Sequence, residues 1–245
     1  MYHFFVTPAQ VQEGYCRITG QDVNHIRNVL RMKPGEQIKI RDGISRNYVC
    51  MIEEVEAEEI RARILSEEAD SSELPARISL FQGLPKSDKM DWIIQKAVEL
   101  GVYQILPMAT RRAVVKLDGK KAEAKVRRWN AVAESAAKQS GRMVIPEVTD
   151  VVSFSKACKM VGQMDCGLIP YELARGMDEA REVFGRIRPG MQVGILIGPE
   201  GGFDMEEIEE AQTEGILPVT LGRRILRTET AGMAALSILM FHLEQ

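Results

Sequence analysis

Histidine is scarce in this chain, with only His3, His25 and His242 among 245 residues. None stands beside a serine or cysteine that it could activate, which excludes the Ser-His-Asp and Cys-His hydrolase classes. Metal catalysis has no better support, because Cys16, Cys50, Cys158 and Cys166 form no CxxC pair and have no histidine neighbours. The same spacing gives no disulfide framework, so a reducing cytoplasm is the expected location. Long apolar runs are missing as well. Phe4 to Val6 is too brief for a signal peptide, and the stretch from Ala231 to Leu243 is too short to cross a bilayer, so a soluble protein with no membrane partner and no metal is expected. There is no surplus of positive charge either, the formal net charge being -3. With 45% hydrophobic residues the chain can still bury a substantial core, and it is long enough for two domains.

The average charge conceals a polarised molecule. Residues 86–142 carry thirteen Lys/Arg against six Asp/Glu, whereas 143–245 carry nine against sixteen. Residues 17–46 hold a further seven against three, including Arg17, Arg27, Arg31 and Arg46, with His25 among them. Basic surface is thus available in two regions, as a phosphate backbone requires, although any single charged residue on a helix face is explained as well by solvation.

A boundary is expected in Glu67 to Pro75, where polar and acidic residues end in a proline, giving domains 1–70 and 74–245. Before it, Gln37 to Arg41, Tyr48 to Glu53 and Ile60 to Leu65 read as short strands with Asp42-Gly43 as a turn, suggesting a small β-barrel. After it, apolar strands at Ile78 to Gln82, Val102 to Pro107, Gly167 to Pro170, Val193 to Ile197 and Leu217 to Leu221 alternate with helices, which indicates an α/β sheet. Met90, Ile93, Ile94, Ala97 and Val98 share one face of a helix that Gly101 can end. A second helix, from about Lys121 to Ser140, packs through Val126, Trp129, Val132, Ala133, Ala136 and Ala137.

Two loops near the C-terminus carry the most information. LIGPEGGF, from Leu196 to Phe203, leaves a buried strand and leads to Asp204, an N-cap for an acidic helix. Glu206 and Glu207 already complement that helix dipole, and the glycine spacing fits neither GxGxxG nor GxxxxGK[ST], so a neutral or cationic ligand suits the loop better than a phosphate. LGRRILRTETA, from Leu221 to Ala231, turns at Gly222 and reaches a helix for which Thr228 is a candidate N-cap. Its Arg223, Arg224 and Arg227 either face an anionic substrate or pair with the acidic helix after Asp204, and spacing leaves both open. Arg142, just past a C-cap glycine, can likewise face a nucleotide or neutralise the end of its own helix.

Taken with QGLPKSDKMDWIIQKAVELG (Gln82 to Gly101), ESAAKQSGR (Glu134 to Arg142) and HIRNVLRM (His25 to Met32), these loops resemble the SPOUT-class RNA methyltransferases. More narrowly, they resemble the small-subunit ribosomal RNA methyltransferase E type. The resemblance covers essentially the whole chain. It implies a PUA-like N-terminal β-barrel followed by a SPOUT α/β domain with a trefoil knot, and a homodimer acting on 16S rRNA of the small ribosomal subunit. The implied activity is methylation of uridine N3 with S-adenosylmethionine as cofactor. Carried over residue by residue, the cofactor pocket falls on Leu168, Ile169, Pro170, Ile197, Gly198, Glu200, Gly201, Leu221, Gly222, Ile225, Leu226 and Thr230. Arg142 and Arg227 are the catalytic candidates, with Arg224 behind them, and Glu172 or Glu200 is a possible proton acceptor. Candidate RNA contacts are Arg17, His25, Arg27, Arg31, Arg46, Lys86, Lys89, Arg111 and Arg112. The apolar final helix fits either burial in its own core or cover by a second copy. Rival readings are a Rossmann-type nucleotide enzyme, a non-catalytic ribosome assembly factor, and a methyltransferase for a different RNA.

Overall fold

The computed structural model describes residues 1–44, 46–68, 72–115, 117, 119–172, 174 and 176–244. They divide into two compact units, Met1–Glu73 with Ala137–Ile145, and Leu74–Ala136 with Pro146–Gln245. Of the expected boundary segment, residues 69–71 lie outside the described residues.

The first unit holds β1 (His3–Phe5), β2 (Val11–Gln12), β3 (Tyr15–Thr19), α1 (Gln21–Asn24), β4 (Gln37–Arg41), β5 (Asn47–Val55) and β6 (Glu59–Glu68). The strands pair in the order β1-β4-β5-β6-β3-β2, antiparallel except for the parallel pair β1 and β4. Alternation along the strands turns Cys16, Ile18, Ile38, Ile40, Cys50, Ile52, Ile60 and Ala62 into one core. Asp42-Gly43 makes the expected turn: Gly43 takes φ +72°, and Asp42 Oδ1 accepts from the N–H groups of Ile44 and Arg46. Sequence reading missed β1, β2 and β3, whose short, partly polar runs give little period-two signal.

Residues 137–145 join this unit through contacts that no local pattern announces. Arg142 is 3% exposed and its Nε donates to both Glu73 oxygens at 2.9 Å. The Arg142 carbonyl accepts from Arg41 at 2.7 Å, and Lys138 pairs with Asp22 at 2.9 Å.

The second unit is a parallel sheet of β7 (Arg77–Gly83), β8 (Gln104–Ala109), β9 (Glu147–Val148), β10 (Val152–Ser153), β11 (Cys166–Pro170), β12 (Gln192–Ile197) and β13 (Leu217–Val219). The order is β10-β8-β7-β12-β11-β13, with β9 beside β8. The helices are α2 (Lys89–Glu99), α3 (Gly119–Ser140, of which residues 137–140 belong to the first unit), α4 (Phe154–Val161), α5 (Met177–Gly185), α6 (Met205–Thr213) and α7 (Thr228–Leu243). In α2 the expected stripe of Met90, Ile93, Ile94, Ala97 and Val98 is the buried face, and Gly101 ends the turn at φ +87°. Strand β8 begins two residues later than its apolar run, since the Val102 N–H is still committed to the Ala97 carbonyl. Strand β13 stops at Val219, because Thr220 Oγ1 bonds both the N–H and the carbonyl of Gly222. The chain thereby delivers β11, β12 and β13 side by side with their carboxyl ends at one edge, where open α/β sheets place ligands.

Candidate active site

At that edge the loops after β11, β12 and β13 enclose a cleft of about 430 Å³, a size within the usual range for small-molecule sites. Pro170, Ile197, Gly198, Glu200, Gly201, Leu221, Gly222, Ile225 and Leu226 of the expected pocket line it, together with Lys89, Arg112 and Arg227. Leu168 and Ile169 do not: both are wholly buried within β11 and belong to the strand interior, so only Pro170 at its end reaches the cleft. Thr230 lies off the lining, its N–H bonded to the Arg227 carbonyl in the first turn of α7. Tyr171 and Thr220, each just past a strand end, and Phe203 and Thr228 line the cleft as well and were not among the expected pocket residues.

The start of α6 is closed to anions. Asp204 caps the helix through the Glu206 N–H, and Glu207 returns a bond to the Asp204 N–H at 2.9 Å. Arg111 pairs with Glu206 and Arg112 with Asp204 at 3.2 Å. The backbone amides that would cradle a phosphate are therefore already engaged by carboxylates.

This pairing resolves the question left by the three loop arginines. The acidic helix takes Arg111 and Arg112, whereas Arg223, Arg224 and Arg227 are exposed and have no ion pair among the described residues. Arg142, expected as a catalytic candidate, belongs to the first unit. Glu73 neutralises its buried guanidinium in the first unit, so its local setting is that of a structural ion pair.

Lys89 bridges Glu200 at 3.0 Å and Glu229 at 3.3 Å, and Glu200 also accepts from the Lys86 N–H at 3.1 Å. Burial acts to raise the Glu200 pKa, but hydrogen bonds from its own N–H, Lys89 and the Lys86 N–H hold it below the ordinary carboxylate range. Glu200 is thus an ionised, lysine-bound group at neutral pH. Glu172 also lines the cleft and is exposed.

Helix α7 begins at Thr228, so Arg227 and not Thr228 occupies the N-cap position. The threonine hydroxyl is drawn elsewhere, to the Gly198 carbonyl at 2.6 Å.

In the first unit the basic candidates separate into two groups. Arg17 forms a bidentate pair with Glu59, and Arg46 lies 3.7 Å from Glu67. His25, Arg27 and Arg31 are exposed and have no ion pair among the described residues. They lie on a π-turn, His25–Val29, whose exit at Arg31 takes φ +54° and folds Met32 back so that its N–H reaches the Ile26 carbonyl.

The parallel sheet with its loop-built cleft and the separate mixed sheet each match a family model of RNA methyltransferases. Residues 72–240 match the family model described as an RNA methyltransferase domain, and residues 18–65 match that of an RNA methyltransferase PUA domain. The ribosomal RNA small subunit methyltransferase E of Bacillus subtilis is 36% identical, over 99% of this chain and 96% of the relative. That of Mycobacterium tuberculosis is 33% identical over 95% and 88%. The chain belongs to the ribosomal RNA small subunit methyltransferase E family. Among solved structures, a Legionella pneumophila methyltransferase in complex with its cofactor SAM superposes with TM-score 0.85 at 33% identity, over 98% of this chain and 97% of that one. The Neisseria gonorrhoeae family member bound to S-adenosyl methionine does so with TM-score 0.82 at 34% identity, over 97% and 96%.

Proposed function

We propose that this chain methylates N3 of one uridine in 16S rRNA of the small ribosomal subunit, using S-adenosylmethionine held in the cleft of the second unit. The observation that carries this reading is the contrast along the cleft. The helix start beside it is sealed by carboxylates, while three arginines at its lip lack any acidic partner among the described residues. A cationic donor fits the first feature, and a polyanionic substrate fits the second.

When bound, S-adenosylmethionine supplies an electrophilic methyl group on a positively charged sulfur. The protein's own groups then have two tasks: to hold the uracil nitrogen in line, and to favour negative charge on the ring as the imide loses its proton. Arg227 is the candidate for the second task, because it lines the cleft and is not neutralised. Of the two carboxylates considered as proton acceptors, Glu172 is favoured, since Glu200 is bound by Lys89. Ile225 and Leu226 give apolar walls for the adenosine.

The same reading includes RNA capture by His25, Arg27 and Arg31 of the PUA-like unit, a knotted C-terminal segment, and action in the cytoplasm. It also includes a homodimer. On α7, Phe241 is 77% and Ile238 41% exposed, which leaves apolar surface for a second copy to cover. Among the described residues no helix is long and apolar enough to cross a membrane.

The direct test is transfer of labelled methyl groups to unmethylated small subunits and to free 16S rRNA. Label at a uridine N3 is the expected result. Binding of RNA without transfer to either substrate would favour an assembly factor, and label in another RNA class would redirect the enzyme. Replacing both Arg27 and Arg31 with alanine is expected to lower the slope of log K against log salt by roughly 1.4 to 2, with cofactor affinity unchanged. An unaltered slope would remove these residues from the RNA interface.

A further inference from the structure

At the cleft floor, where Thr228 and Gly198 are among the lining residues, runs a buried hydrogen-bond chain that the roles above do not use. Gln82 in β7 is wholly buried, and its Nε2 donates to the Gly83 carbonyl at 3.0 Å and to Thr228 Oγ1 at 2.9 Å. Thr228, 5% exposed, donates to the Gly198 carbonyl at 2.6 Å. The end groups fix every proton in the chain. Both carbonyl oxygens can only accept, so the threonine hydroxyl gives its one proton to Gly198 and must receive from Gln82. Gln82 therefore turns its NH₂ toward Thr228, which leaves its Oε1 buried and unpartnered among the described residues. An orphaned amide oxygen is unfavourable, and a methionine of similar volume would avoid it. What the glutamine contributes is its pair of donated bonds.

The Gly198–Pro199 peptide is also fixed by contact. A Cβ on Gly83 would lie 2.7 Å from the Pro199 nitrogen, so β7 ends in a glycine on which that peptide rests. Support from Gly83 and a bond from Thr228 together hold the turn from Gly198 to Gly202 against the sheet edge. Thr228 is also covalently next to Arg227, so the same hydroxyl ties the turn to the loop that carries the cleft arginine.

We propose that Thr228, aligned by Gln82, is a positioning residue: it directs the Gly198 carbonyl into the core, sets the cleft turn for the cofactor, and registers Arg227 against it. This rests on the reading that the cleft holds S-adenosylmethionine. Thr228→Val keeps the shape and removes the hydroxyl. It is expected to weaken S-adenosylhomocysteine binding about tenfold by calorimetry, whereas Thr228→Ser stays within about threefold of the unaltered chain. Gln82→Met is expected to weaken binding about threefold while leaving the melting temperature unchanged or higher, because the orphaned oxygen is gone. The double variant should lose little more than Thr228→Val alone, as two links of one chain require.

Unchanged affinity in Thr228→Val would overturn the proposal, and so would losses that merely track stability across the set. If Thr228→Val fails to fold, Gln82→Met alone decides, since only a positioning role separates affinity from stability there. If the unaltered protein takes up no S-adenosylhomocysteine, the methyltransferase reading fails and the latch is judged by amide exchange at Gly201 and Gly202. Faster exchange in Thr228→Val supports it, and equal exchange refutes it.

Discussion

Placing valine at position 198 is expected to reduce S-adenosylhomocysteine affinity by at least about a hundredfold, beyond what a single lost contact supplies. The reason is geometric. A Cβ on Gly198 would lie 3.2 Å from the carbonyl carbon and Cα of Gly202 and 3.3 Å from the Phe203 ring. Backbone on one side of the turn cannot move without opening it, and Phe203 is 6% exposed and packed on Phe154 with ring centroids 5.5 Å apart. Valine adds two further methyl groups to that space. Relief comes by displacing the turn toward the cleft, which removes the wall that Gly198 to Gly201 provide. The far side of the sheet is untouched, so circular dichroism should remain that of a folded α/β protein while calorimetry reads the loss. Near-normal affinity would show that this turn does not line the cofactor site.

Arg227→Ala is expected to lower kcat by about 10²- to 10³-fold with cofactor affinity within about threefold, the split produced by removing a group that acts on charge formed in the transition state. Arg223, Arg224 and Arg227 all line the cleft. Arg227 differs in being held at the N-cap of α7, with its carbonyl accepting from the N–H groups of Thr230 and Ala231. A guanidinium carried on fixed backbone is better placed to meet a uracil oxygen than one on the open loop. Lysine at this position keeps the charge without the planar fork, so partial recovery in Arg227→Lys would point to charge, and no recovery to geometry. A kcat left unchanged in Arg227→Ala would transfer the role to another residue.

Much of the second unit was legible because its strands are continuous apolar runs, as strands covered on both faces must be. The stripe on α2 and the N-cap at Asp204 were equally plain, since both are set by residues within one or two turns of chain. Partnering was less so. Nothing near Arg142 in sequence indicates Glu73, nothing near Arg111 or Arg112 indicates the start of α6, and each pair is closed only by the fold. This is why Arg111 and Arg112, candidates for RNA contact, are paired, whereas the three loop arginines, for which spacing left both outcomes open, have no ion pair among the described residues. Thr228 illustrates the same limit: its type and position suit an N-cap, but a carbonyl brought within 2.6 Å by the neighbouring strand captured its hydroxyl. Gln82 did carry a signal, a polar side chain inside an apolar strand that had to find partners. Leu168 and Ile169 were assigned to the pocket by resemblance, and both lie in the continuously buried middle of β11.

The central claim is that the turns at the carboxyl edge of the second sheet hold a positively charged sulfur donor, and that the turn leading to α6 offers no cradle for a nucleoside phosphate. Calorimetric titration of the unaltered chain with S-adenosylmethionine, repeated in a large excess of ATP, measures this directly. Saturable binding that ATP leaves undisturbed is the result expected of a helix start already sealed by Asp204, Glu206 and Glu207. Displacement by ATP, or no binding at all, would contradict the account.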